Sequence, residues 1–264
     1  MSDERIELRS DTMTLPTREM LEAMYSARVG DETWGEDPTV TQLEKLAAET
    51  LEKEDAVFCV SGTMANTISI LAHLEAGDAM VLGQTCHISV WESPSSTCFG
   101  VTQLTVPDQA GCMDPQAVLD TLERTYWVKP KLLCLENTHN FAGGQVLNQE
   151  EMDHYCALAH ERGALVHVDG ARIFNAASHL ATDAAKLVRN VDSVMFSLSK
   201  GLSAPMGSLA VGSRDFIQHA RHWRKVMGGG LRQAGYMAAA GIVALRTCVE
   251  RLQEDNEKAR GICA

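Results

Sequence analysis

Short apolar runs recur along the chain at Ala56–Val60, Met80–Leu82, Val101–Leu104, Leu132–Leu135, Leu165–Val168, Ser193–Ser197 and Gly207–Val211. Runs this short, bounded by polar or glycine positions, predict seven strands. Between most of them, at Thr63–Leu74, Pro115–Glu123, Gln149–Arg162 and Thr182–Val188, apolar residues return every three or four positions and predict amphipathic helices. Ahead of the first strand the pattern gives an extended start from Arg5 to Thr14 and a helix opened by Pro16-Thr17 that runs to about Ala27, with Leu21 and Met24 on one face. A polar turn from Gly30 to Pro38 follows, and then a second helix from Val40 to Leu51. Strands alternating with helices in this way predict an α/β fold whose mostly parallel sheet is covered on both faces. Sheets of that kind bind ligands at the carboxyl ends of their strands. The tail reads as one long helix from Gln233 to about Lys258. Its stripe of Leu245, Val249 and Leu252 is expected to lack cover within the chain, and so to lead into further chain or to pack on a second subunit.

The 264 residues suffice for a sizeable core, and 45% apolar with 22% charged residues is ordinary for a globular protein. The net charge of −12 argues against a nucleic-acid or anionic-membrane partner, because no basic stripe is present to neutralise phosphates. No apolar run approaches the ~20 residues that span a bilayer, and the amino terminus lacks a signal-type apolar region. A cytoplasmic location is expected. Eight cysteines, at 59, 86, 98, 112, 134, 156, 248 and 263, include no Cys-x-x-Cys pair. They are read as small hydrophobes in a reducing compartment, with no metal site.

Two strand ends carry the most pointed chemistry. Val166-His-Val-Asp169-Gly-Ala-Arg172 places an aspartate at one, and Ser197-Leu-Ser-Lys200-Gly201 a lysine just past another. A lysine amine that forms a Schiff base, with a carboxylate that keeps a pyridine nitrogen protonated, is what pyridoxal 5'-phosphate needs to act as an electron sink. Ser61-Gly62-Thr63 follows a strand and opens a helix, where backbone amides and hydroxyls can hold a phosphate or merely cap the helix. His87, in the loop after the next strand, can stack on a flat cofactor and serve as a base. Glu92, five residues on, can accept a hydrogen bond from it or from a substrate hydroxyl. Arg172 can clamp a carboxylate in two-point fashion.

Seven motifs, in order over nearly the whole chain, resemble those of the threonine aldolases, members of the fold-type I pyridoxal-phosphate enzymes. They are Leu8-Arg-Ser10-Asp11-Thr-Met-Thr14, Gly35-Glu-Asp-Pro38, Ser61-Gly-Thr63-Met-Ala-Asn66, Glu136-Asn-Thr-His-Asn140, His167-Val-Asp169-Gly-Ala-Arg172-Ile-Phe-Asn175, Ser197-Leu-Ser-Lys200-Gly-Leu and Gly228-Gly-Gly-Leu-Arg232-Gln. The resemblance implies an aspartate-aminotransferase-like large domain at 31–240, an arm and helix at 1–30, and at 241–264 the start of a helix leading to a small domain absent from the chain. It implies Lys200 as the Schiff-base lysine, Asp169 as partner of the ring nitrogen, Ser61, Gly62 and Thr63 at the phosphate and His87 on the ring. Arg172 and Ser10 would take the substrate carboxylate, and Arg232 would reach a neighbouring subunit's phosphate in a homodimer or homotetramer. The implied reaction is retro-aldol cleavage of a small β-hydroxy amino acid to glycine and an aldehyde, with His87 as base and Glu92 second. Alternatives are a β-eliminating lyase or racemase on the same fold, or a truncated chain that binds cofactor and only oligomerises. Three positions depart from the family's pattern: Trp34 where a tyrosine is usual, Tyr126-Trp127 where many relatives have a histidine before an aromatic, and Phe141 for a polar residue. Trp34 and Tyr126 are therefore expected to shape substrate preference.

Overall fold

The computed structural model describes residues 7–124 and 128–263. Its strands are β1 (Asp55–Cys59), β2 (Ala79–Gly83), β3 (Thr102–Val106), β4 (Asp108–Gln109), β5 (Cys112–Met113), β6 (Pro130–Glu136), β7 (Leu165–Asp169), β8 (Ser193–Ser197) and β9 (Ser208–Gly212). The helices are α1 (Arg18–Tyr25), α2 (Pro38–Thr50), α3 (Gly62–His73), α4 (His87–Val90), α5 (Ser93–Thr97), α6 (Pro115–Leu122), α7 (Gln149–His160), α8 (Ile173–His179), α9 (Ala184–Leu187), α10 (Arg214–Val226), α11 (Gly235–Val243) and α12 (Leu252–Cys263). Seven strands form one sheet in the order β1-β9-β8-β7-β6-β2-β3, and β4 and β5 make a separate two-stranded ribbon. Within the seven-stranded sheet only the pairings of β9, with β1 and with β8, are antiparallel. Consequently β1, β8, β7 and β6 all end at the same edge, with Ser208 of β9 between Cys59 and Ser197, and Glu136 level with Asp169.

Every residue of β2, β8 and β9 is buried, as expected for strands covered on both faces. Phe58 and Phe196 are among the largest fully buried side chains, and Phe174 on α8 meets Phe196 edge-on at 5.2 Å between ring centroids. Helix starts are capped as the sequence suggests: Thr17, Asp37, Ser61, Asp114 and Ser213 each accept a backbone N–H, and Asn148 with Glu151 forms a full capping box. The edge strand β1 is protected by side chains instead of a further strand. Phe58 N donates to Glu44 Oε1 at 2.8 Å, Arg221 grips Glu44 at 3.0 and 2.7 Å, and Arg224, itself paired with Glu32, donates to Phe58 O at 2.8 Å.

The tail departs from expectation. It is not one helix: α11 passes into a π-type turn at Ala244–Cys248 before α12 begins. Its apolar stripe is also covered within the chain, because Leu245 and Leu252 are buried. Leu252 lies so close to Gly201 that a Cβ there would meet Leu252 Cδ2 at 2.9 Å. Asn256 Nδ2 then reaches Asn175 O and Ser178 Oγ on α8, both at 3.4 Å.

Candidate active site

The shared strand edge brings the two most pointed residues together. Asp169 closes β7 and is buried, and its register partners are Glu136 on β6 and Met195 on β8. Lys200 follows β8 by three residues, and the extended amino-terminal segment folds over this loop, with Thr14 Oγ1 donating to Lys200 O at 2.8 Å. Lys200 Nζ has no hydrogen-bond or ion-pair partner among the described residues. Burial pushes its pKa down, the Arg172 charge pushes it further, and Asp169, Asp11 and Glu92 only partly offset this. An amine in this setting is more readily available as a nucleophile than an exposed lysine. Gly170 admits no side chain, since a Cβ would lie 2.7 Å from Met195 O, so β7 and β8 can approach closely where they carry Asp169 and lead to Lys200.

A second carboxylate and an imidazole stand beside Asp169. Asn66, buried on α3, donates from Nδ2 to Asp169 Oδ2 at 2.9 Å and to the two oxygens of Glu92 at 3.3 and 3.2 Å. Glu92 Oε1 in turn holds His87 Nδ1 at 2.7 Å. That hydrogen bond raises the His87 pKa, burial lowers it, and the Asp169 charge adds to the rise. Donor atoms of His87, Glu92 and Asp169 all lie within 4.8 Å of one another. Glu136 anchors the His87 loop from below, accepting from His87 N at 2.6 Å and from Asn140 N at 2.7 Å. Its burial, with the Asp169 charge second, pushes its pKa up to about 7.

Arg172 points to the same place but is already engaged. Its Nε and Nη2 donate to Asp11 Oδ2 and Oδ1 at 2.6 and 2.8 Å, a two-point pair. Burial opposes ionisation of Asp11, yet the hydrogen bonds and charge of Arg172 more than offset it and hold the carboxyl below its usual range. Ser10, next in the chain, spends its hydroxyl as a cap, accepting from Thr12 N at 3.2 Å and Thr12 Oγ1 at 2.9 Å. At the start of α3, Ser61 Oγ accepts from Met64 N at 3.2 Å. The amides of Gly62 and Thr63 belong to the first turn, which has no intrahelical acceptors, and Ser61 and Thr63 are exposed. A Cβ on Gly62 would touch Met195 Cε at 3.2 Å, so this turn sits against β8 beside the Asp169 strand.

Trp34 and Arg232, like Ser10, Ser61, Gly62 and Thr63, make no hydrogen bond or ion pair with Lys200, Asp169, His87, Glu92 or Arg172 among the described residues. Trp34 is 76% exposed. Arg232 pairs with Asp31 at 3.3 Å, and its carbonyl accepts from Glu32 N at 3.0 Å. Tyr126 lies outside the described residues. Asn66, Glu136 and Asp11 carry the geometry and had no role assigned from the sequence, although all three lie within the quoted motifs. Asn66 lies on α3 beside the buried polar residues Thr67 and Ser69, so its sequence context alone did not single it out.

A seven-stranded, mostly parallel sheet in this strand order, with helices on both faces, is the fold of the fold-type I pyridoxal-phosphate enzymes. The sequence profile of the family described as Beta-eliminating lyase matches residues 7–263. The chain is 44% identical over 258 residues to the low specificity L-threonine aldolase of Escherichia coli K12, a match covering 96% of this chain and 77% of that protein. It is also 44% identical over 262 residues to low-specificity L-threonine aldolase 1 of Arabidopsis thaliana, covering 97% and 73%. Among solved structures, the threonine aldolase of Leishmania major superposes with a TM-score of 0.85 at 23% identity, covering 95% of this chain and 76% of that one. A putative L-allo-threonine aldolase from Listeria monocytogenes gives a TM-score of 0.82 at 23% identity, covering 92% and 68%. The chain belongs to the β-eliminating lyase family, within its threonine aldolase group. Enzymes of this family depend in general on pyridoxal phosphate. No helix among the described residues is long and apolar enough to cross a membrane.

Proposed function

We propose that the chain cleaves L-threonine, L-allo-threonine and related β-hydroxy amino acids to glycine and an aldehyde, using pyridoxal 5'-phosphate. The observation that carries this reading is Lys200 with its lowered pKa beside buried Asp169, in a chain 44% identical to L-threonine aldolases. The donor set fits the cofactor: an amine without a partner among the described residues, a buried carboxylate for a ring nitrogen, and the Gly62 and Thr63 amides at a helix start for a phosphate. When bound, pyridoxal phosphate supplies an electron sink that weakens a bond at Cα of an attached amino acid.

The residues of the chain would then do the following. Lys200 Nζ would be the group that holds the cofactor's aldehyde carbon. Asp169 accepts a hydrogen bond from the ring nitrogen while Asn66 holds its other side. Asp11 holds Arg172 by two bonds, which leaves Nη1 for the substrate carboxylate. Fixing that carboxylate would decide which bond at Cα is oriented for cleavage. His87 would stack on the ring, and its Nε2, which has no partner among the described residues, would take the proton of the β-hydroxyl. Glu92, on Nδ1, favours the charged imidazole that results, as an orienting carboxylate does in a catalytic dyad. Arg232 and Trp34, both at the surface, suit a role across a subunit contact in a homodimer or homotetramer.

The test is product analysis with threonine and the cofactor-loaded chain. Glycine and acetaldehyde in equal amounts support the reading. Ammonia and a 2-oxo acid would assign β-elimination instead, and no turnover with bound cofactor would leave only a binding role.

A further inference from the structure

The proposed chemistry makes no use of His167, Ser193 or His73, yet these three residues continue inward from Asn66 as one hydrogen-bonded chain. The Asn66 amide must face Asp169 and Glu92 with its NH2 group, because the reverse orientation would set an oxygen against two carboxylates. Asn66 Oδ1 therefore points at His167 Nε2, 3.1 Å away, and needs a hydrogen there. His167 is fully buried, and that burial, with His73 nearby, pushes its pKa down to about 3. The ring is thus neutral with its one proton on Nε2, so Nδ1 accepts from Ser193 Oγ at 2.8 Å. Ser193, having donated its only proton, accepts from His73 Nε2 at 2.7 Å. His73 ends α3 in the wall of a cavity of about 500 Å³ near the amino ends of the strands, beside Asp192 and His219. Every bond in the series donates toward Asp169.

We propose that His167 and Ser193 are positioning residues that lock the Asn66 amide and thereby fix the Asp169 carboxylate in the orientation that receives the cofactor's ring nitrogen. This rests on the pyridoxal-phosphate reading given above. Polar partners one step behind a functional group typically change activity by ~10–100-fold when removed, by analogy with those behind metal ligands. The charged or titrating groups facing the chain are Asp169, Glu92, Glu136 and His87 at one end, and Asp192 and His219 at the other.

Two readouts test the proposal, and neither requires threonine cleavage. Nitrogen-15 NMR of histidine-labelled wild-type chain, with and without pyridoxal phosphate, should show His167 neutral and protonated on Nε2 from about pH 6 to 8. In the cofactor-loaded Ser193→Ala variant, the pH titration of the bound-cofactor absorbance should move by roughly half a unit or more, a shift small beside those strong local interactions produce. Where the variant turns over substrate, kcat should fall about 10-fold with KM within about 2-fold. Ser193→Thr, which keeps the hydroxyl, should restore both. A His167 ring protonated on Nδ1 overturns the proposal, and so does a Ser193→Ala variant whose absorbance titration matches wild type. The NMR result decides the matter even if the variant fails to fold. Because a wild-type chain inactive on threonine would still give both readouts, failure of the aldolase reading and failure of this one are separable.

Discussion

Replacing His167 by glutamine removes a titrating ring from the middle of β7 while keeping a donor for Asn66 Oδ1 and an acceptor for Ser193 Oγ. In the folded protein burial holds this histidine at about 3, against an ordinary value of 6.5. Below pH 6.5 the unfolded chain therefore binds a proton that the folded chain refuses. Stability from this group is complete above 6.5 and is lost progressively as pH falls toward 3. At pH 5 the gap spans about 1.5 pKa units, or about 2 kcal/mol. His73, pushed down to about 4 by its own burial, titrates in both proteins and cancels in the comparison. Urea unfolding of wild type and His167→Gln at about pH 7.5 and about pH 5 is the assay. The wild type should lose about 2 kcal/mol more than the variant between the two conditions. Equal losses would show that His167 is not held neutral in the fold and would refute the reasoning.

Other perturbations probe the frame around the site. Gly170→Ala drives a methyl against Met195 O at 2.7 Å and Ile173 Cβ at 3.1 Å, neither of which can swing aside. It should cost about 1–3 kcal/mol in urea unfolding and weaken cofactor binding measured by absorbance. Leu252→Ala empties a fully buried position against Gly201. A loss of about 2–5 kcal/mol is expected, with faster proteolysis within α12 than in wild type. Asp169→Asn keeps the shape of the site but removes the anionic partner of the ring nitrogen, so cofactor should still bind while turnover falls roughly 100-fold or more.

The inner strands were legible because each holds a short apolar run in a sheet covered on both faces, where alternation is not needed, whereas the edge strand β3 is partly exposed. Helix α10 was not legible. Its buried face carries Phe216, Ile217 and Ala220 but also Arg224, a charge that is tolerated because Glu32 and Phe58 O meet it. The break in the tail was equally hidden, since Ala244–Cys248 contains neither proline nor glycine. At the site, Lys200 and Asp169 stood out because both follow apolar strands. The partners that define their neighbours did not, because they are tertiary. Arg172 meets Asp11 161 positions away, and His167 meets Asn66 across 101. Arg172 consequently read as a free carboxylate clamp, whereas two of its guanidinium nitrogens are engaged within the chain.

The central claim, that Lys200 is the residue to which the cofactor attaches, is tested most directly by reducing the pyridoxal-phosphate-loaded chain with borohydride and locating the label by peptide mass spectrometry. The account predicts the label on Lys200, and its loss, together with loss of the cofactor's visible-edge absorbance, in Lys200→Ala. A label on a different lysine, or undiminished absorbance in that variant, would contradict it.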